Sequence, residues 1–131
     1  MYKVLETRRS ASGSPSSGAV LVNGHLYTVQ IPRNPETGEP DNQGDITLQT
    51  HRVLSQLRET MEIAGGSLRD VAQVVIYLVN ADDAPGMNAV YREYFSEPYP
   101  NRATVVVKEL MGKNRLIEIV VNAYPGISTE A

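Results

Sequence analysis

Asn23-Gly24 stands between two short apolar runs, residues 19–22 and 25–31, and fixes the start of the fold more tightly than any other feature of the chain. Both residues tolerate positive φ, which a two-residue turn between twisted antiparallel strands demands. The stretch before this hairpin, Ser10 to Gly18, is rich in Ser and Gly, contains Pro15, and has neither a helical nor a strand period, so it reads as a loop. The stretch after it, Pro32 to Gly44, carries three prolines and two glycines and is a second loop, with a turn at Asn34-Pro35-Glu36-Thr37-Gly38.

The pattern then switches to a helical period. Asp45 is placed to cap a helix in which Ile46, Val53, Leu54, Leu57, Met61 and Ala64 share one face, and Arg52, Ser55, Glu59 and Glu62 the other. Gly65-Gly66 ends it. Residues 71–79 are rich in β-branched side chains and read as a buried strand. Asp82 or Asp83 then caps a second helix with Pro85 in its first turn and an apolar stripe of Met87, Val90, Tyr91, Tyr94 and Phe95, which Pro98-Tyr99-Pro100 stops. Two alternating segments follow. In residues 102–107, Ala103, Val105 and Val107 share one face, and Arg102, Thr104 and Val106 the other. In residues 116–123, Ile117, Ile119 and Val121 oppose Glu118, Val120 and Asn122. The order ββ-α-β-α-ββ predicts a two-layer α+β fold, a mixed sheet with both helices on one face. The last two strands are expected to pair as a hairpin through residues 111–114.

The chain has 131 residues, enough for one domain with a real core, and it is read as a single domain over 1–131. Its ends, about 1–17 and 125–131, are expected to be less ordered. No apolar stretch approaches a membrane span or a signal peptide, so a cytoplasmic protein is expected. There is no cysteine and there are only two histidines, His25 and His51, which excludes thiol chemistry and argues against a metal site. A net charge of −3 argues against nucleic acid as a partner. The sheet face away from the helices is expected to carry Val106, Val120 and Val74 or Ile76, an apolar surface that a second subunit would bury.

Several stretches, in order, resemble the RidA (YjgF) family. They are Gln30-Ile31-Pro32, Pro35-Glu36-Thr37-Gly38, Gln49-Thr50, and Ala64 to Val71. Next come Met87-Asn88 with Tyr91 and Tyr94-Phe95, then Pro98 to Val105, then Ile117-Glu118-Ile119. The resemblance implies a chorismate-mutase-like fold and a homotrimer with interfacial clefts. It also implies hydrolysis of 2-imino or 2-enamino acids to 2-keto acids and ammonia, with no cofactor.

Arg102 is the leading candidate site residue. A guanidinium offers a planar fork that matches a carboxylate, and the family's matching arginine grips the substrate carboxylate. A structural ion pair is the alternative role. Glu118 interrupts an apolar strand, where a carboxylate is costly unless paired or functional. The resemblance gives it the role of positioning the attacking water, and neutralising a nearby cation is the alternative. Asn88 matches a position that shapes the site. Tyr27, Tyr91 and Tyr94 are aromatic walls or core, His51 lies on the solvated flank of the first helix, and Asp82-Asp83 serve as caps. The substrate-facing positions depart from the family: Thr28-Val29 replaces Ser-Gly before Gln-Ile-Pro, Ser16 stands near a tyrosine position, and Thr104 stands where cysteine is common. These departures fit a changed substrate or a lost activity. Besides the deaminase, two other readings stand: a non-catalytic trimer that binds small carboxylates or acts through partners, and the ribonuclease or translation-inhibitor role sometimes attached to the family.

Overall fold

The computed structural model describes residues 3–7 and 14–129. Six strands form one mixed sheet, and two helices cover one of its faces. The strands are β1 (Lys3–Val4), β2 (Ala19–Val22), β3 (His25–Gln30), β4 (Val71–Leu78), β5 (Asn101–Val106) and β6 (Ile117–Ala123), in the spatial order β1-β2-β3-β6-β4-β5. The helices are α1 (Ile46–Ile63) and α2 (Ala84–Tyr94). Asn23 and Gly24 have φ of 48° and 83°, and the β2–β3 hairpin turns on them as expected. Asp45 caps α1 by accepting a hydrogen bond from the Leu48 amide at 3.0 Å, and Gly65 leaves the helix at φ 88°. A short 3-10 turn, Ala81–Asp83, precedes α2, and Asp83 stands at the cap position without a side-chain cap bond.

The expected β5–β6 hairpin does not form. β5 pairs in parallel with β4, with Val74 opposite Arg102 and Ile76 opposite Thr104, while β6 inserts between β3 and β4 and is antiparallel to both. The reason is the crossover: α2 carries the chain back along the sheet, so β5 re-enters in the direction of β4. The strand β6, in which every second residue is buried, takes the centre. Its Ile117, Ile119 and Val121 are buried under the helices with Val74, Ile76 and Leu78 of β4 and Val53, Leu54, Leu57 and Met61 of α1.

This register also corrects the composition of the open face. Val74 and Ile76 lie on the helix side, and so do Arg102, Thr104 and Val106, their register partners or those of their strand neighbour Leu78. The open face instead carries Tyr27, Val29, Val75, Tyr77, Ala103, Val105 and Val120, with Glu118 and Asn122 among them. Tyr27, Val29 and Val105 are 44%, 46% and 41% exposed, so an apolar surface faces outward as expected, with Val120 on it as expected and the other residues different.

Both chain ends take part in structure where they are described. Lys3 and Val4 pair with Leu21 and Val20. Ile127–Thr129 forms a 3-10 turn over Asp70. Residues 1–2, 8–13 and 130–131, which fall within the segments expected to be less ordered, lie outside the described residues.

Asp70 is buried and accepts hydrogen bonds from the backbone amides of Ser67 (2.9 Å), Gly126 (3.0 Å) and Ser128 (2.8 Å). Burial pushes its carboxyl up, but the donors of Ser128, Gly126 and Ser67 together outweigh burial and hold it at about 2, below the ordinary 3.8. The folded state therefore binds the proton more weakly than the unfolded chain. The stabilisation is full above about pH 4 and is lost as pH falls through about 2. Asp70→Asn is expected to cost on the order of 1–2 kcal/mol at pH 7 and much less at pH 2. Urea unfolding at fixed protein concentration across that range checks it, and a difference that does not shrink with acid would refute this role.

Candidate functional site

Arg102 heads a cleft of about 220 Å³ lined by Asn88, Tyr91 and Arg92 of α2 and by Tyr99, Pro100 and Arg102 at the entry to β5. β5 is an edge strand and Arg102 is exposed on its helix side. Its guanidinium lies 4.7 Å from the centroid of the Tyr91 ring, a cation–π contact. Among the described residues no carboxylate lies within ion-pair distance of it. The structural ion pair weighed from the sequence is thus not what occupies Arg102. Asn88 and Tyr91 are one helical turn apart, which brings both onto the side of α2 that borders the cleft.

Tyr91 is 4% exposed. Its ring stacks on Phe95 at 4.6 Å between centroids, and its hydroxyl has no hydrogen-bond partner among the described residues. Burial chiefly pushes this phenol up, to about 12, while the Arg102 charge pulls it down and Tyr99 adds to the rise. In sequence Tyr91 is one member of an apolar stripe, wall or core. Its spacing from Asn88 is the one signal that could have tied it to the cleft.

Glu118 occupies the other face of the sheet. It lies opposite Tyr77 of β4, half-buried, with Oε1 3.8 Å from Nη1 of Arg115. Arg115 is buried and donates from Nε to Asn42 Oδ1 at 3.1 Å. Burial lowers its affinity for its proton, and the Glu118 carboxylate works in the opposite direction. The lead-in to β6 is anchored by Gln49, a buried polar residue on α1. It donates to the carbonyls of Asn42 (3.0 Å) and Asn114 (2.9 Å) and accepts from the Leu116 amide (2.8 Å). Arg115 and Gln49 were not singled out as site residues. A charged residue three positions before Glu118 was the available signal.

The structure does not bring Glu118 and Arg102 together within one chain. They project from opposite faces of the sheet, on strands separated by β4. The other candidates are also distributed. Thr28 is buried on the helix side, where its hydroxyl donates to the Gly18 carbonyl at 2.8 Å and accepts from Gln30 at 3.1 Å. Gln30 in turn donates to Thr60 of α1. Val29 points the other way, on the open face opposite Val120. Thr104 is exposed on the same side of β5 as Arg102, and Ser16 lies in an exposed loop, its hydroxyl 2.9 Å from that of Ser14. His51 lies on the flank of α1 with its side chain 38% exposed, and its Nδ1 lies 3.0 Å from the Tyr94 hydroxyl.

The sequence profile described as Endoribonuclease L-PSP matches residues 6–125. A RutC family protein of Pyrococcus abyssi is 44% identical over 111 residues, 84% of this chain and 86% of that protein. A protein of Dermatophagoides farinae named 2-iminobutanoate/2-iminopropanoate deaminase is 36% identical over 106 residues, 80% of this chain and 81% of that one. The crystal structure of RidA from an Antarctic Psychrobacter superposes with a TM-score of 0.83 at 33% identity, covering 93% of this chain and 98% of that one. A profile matched over nearly the whole chain, relatives of similar length and a shared sheet-and-helix layout agree on one conclusion: the chain belongs to the RidA/YjgF family, whose profile carries the endoribonuclease L-PSP description.

Proposed function

We propose that this protein is a cytoplasmic homotrimer that hydrolyses small 2-imino and 2-enamino carboxylates to 2-keto acids and ammonia, at clefts shared between subunits and without a cofactor. The observation that carries the reading is Arg102: an exposed guanidinium with no acidic partner among the described residues, at the head of a cleft on a sheet edge. A relative named an iminobutanoate deaminase points to the ligand class that would use it. Among the described residues no helix is long and apolar enough to cross a membrane.

In this mechanism the Arg102 fork receives the substrate carboxylate, beside Asn88. Glu118 of a neighbouring copy holds a water against the imine carbon and takes a proton from it as the C–O bond forms. The imine nitrogen is protonated from solvent as the carbinolamine forms; that nitrogen then receives the proton held by Glu118, the C–N bond breaks and ammonia leaves, and the hydroxyl returns a proton to Glu118 as the carbonyl forms. An enamine first takes a proton on carbon to become the imine. Burial of the open face in the trimer removes its apolar surface from water and brings β3, with Thr28 and Val29, toward a neighbour's β5 edge.

The ribonuclease reading lacks its acid–base pair. His25 lies on the open face, stacked on Tyr27, and His51 lies on α1 across the sheet.

Separate placement of Arg102 and Glu118 makes the shared site testable. Arg102→Ala and Glu118→Gln proteins, unfolded and refolded together in equal amounts and assayed at a substrate concentration where each alone shows little activity, are expected to regain about a quarter of the wild-type sites, since each site takes one residue from each of two subunits. Light scattering confirms the trimer in each sample. A mixture as inactive as its components would show that a single subunit supplies both groups.

A further inference from the structure

We propose that Tyr91 is a ligand-recognition residue whose hydroxyl donates a hydrogen bond to the carboxylate that Arg102 grips. The inference rests on the reading of Arg102 given above and names the second group that reads the same anion.

Three observations lead there. Buried hydroxyls in folded proteins nearly always find a partner, and one that does not needs a reason. The Tyr91 hydroxyl is buried and meets no partner among the described residues. Packing does not explain its presence, because the stack on Phe95 and the contact with Arg102 both use the ring, which phenylalanine would supply equally well. Location supplies the reason: Tyr91 borders the Arg102 cleft together with Asn88 and Tyr99.

The chemistry is complementary. An ionised carboxylate offers about four lone-pair sites, and a bidentate guanidinium uses two of them, so the anion has capacity for a further donor. At neutral pH burial keeps the phenol protonated, with its pKa pushed up to about 12, so it can donate. Arg102 and Tyr99, the charged and titratable neighbours that act on the hydroxyl, are both exposed. A neutral amide or an alcohol could not engage Arg102 in the same way, so the pair selects carboxylates.

Tyr91→Phe removes the oxygen and keeps the ring. Calorimetric titration of the trimer with 2-oxobutanoate is expected to show affinity about tenfold lower or worse in the variant, as for loss of a hydrogen bond to a charged group. The ligand-free variant is expected to unfold at the same temperature as wild type or higher, because an unmatched buried hydroxyl has been removed. Affinity within twofold of wild type overturns the inference. So does a ligand-free midpoint several degrees lower, which would mean that the hydroxyl has a structural partner in the assembly. Arg102→Ala, titrated alongside, separates the two levels. If it loses binding while Tyr91→Phe does not, only the role of Tyr91 falls. If it binds as wild type does, or wild type does not bind, the carboxylate reading of the cleft falls as well.

Discussion

Replacing Arg102 by alanine is expected to weaken binding of small 2-keto carboxylates by about 1.5–3 kcal/mol, roughly tenfold to more than a hundredfold. The basis is that Arg102 has no competing carboxylate among the described residues, so its charge-assisted hydrogen bonds are available to a ligand. Its contact with the Tyr91 ring at 4.7 Å holds the guanidinium at the cleft without using up its fork. Arg102→Lys should recover part of the loss, because an ammonium restores charge and not bidentate geometry. Fold stability should change little, since the side chain is exposed on an edge strand. Calorimetry on samples of verified trimeric mass decides the matter, and equal affinities for wild type and Arg102→Ala would remove the carboxylate role.

Glu118→Gln is expected to have the larger effect on turnover, lowering kcat by about a hundredfold to ten-thousandfold with little change in KM. A glutamine keeps the shape and one acceptor but cannot take the proton from the attacking water. If Glu118 only neutralises Arg115, the substitution would instead leave a buried cation without its charge partner, and the loss would appear as instability, not as a change in kcat. Thermal unfolding together with steady-state kinetics distinguishes these outcomes.

Local signals carried most of the architecture. The Asn23-Gly24 turn, the Asp45 cap and the Gly65 exit depend on residues a few positions apart, and each is readable from the chain alone. Alternation within strands was equally legible: Ala103 and Val105 do share one face, and Arg102 and Thr104 the other. What alternation cannot say is which face meets the helices. That depends on register between distant strands, and the pairing of Val74 with Arg102 puts Arg102 on the helix side. The absent β5–β6 hairpin has the same origin, because nearness in sequence was outweighed by the α2 crossover and by the demand of β6 for burial.

The site was less legible than the fold. Arg102 and Glu118 were found through the family resemblance, and their placement on opposite faces emerges only from the sheet order. The unmatched hydroxyl of Tyr91 has no sequence signature, since a tyrosine in an apolar stripe looks the same whether or not its oxygen is satisfied. The departures at Thr28 and Val29 are now interpretable. Thr28 is turned inward to Gly18 and Gln30, and Val29 stands on the open face, so neither lines the Arg102 cleft of its own chain. They are expected to narrow the range of imines accepted, because small displacements of reacting groups are costly in rate.

The most direct test is a coupled assay in which an amino-acid oxidase or a dehydratase generates 2-iminobutanoate and other small imines, and release of the 2-keto acid is followed with and without this protein. The account predicts faster release for at least one small imino acid, abolished in Glu118→Gln and reduced in Arg102→Ala. Release at the uncatalysed rate for every imine tested, from a protein of trimeric mass that still binds 2-keto acids, would contradict it and leave a carboxylate-binding protein without deaminase activity.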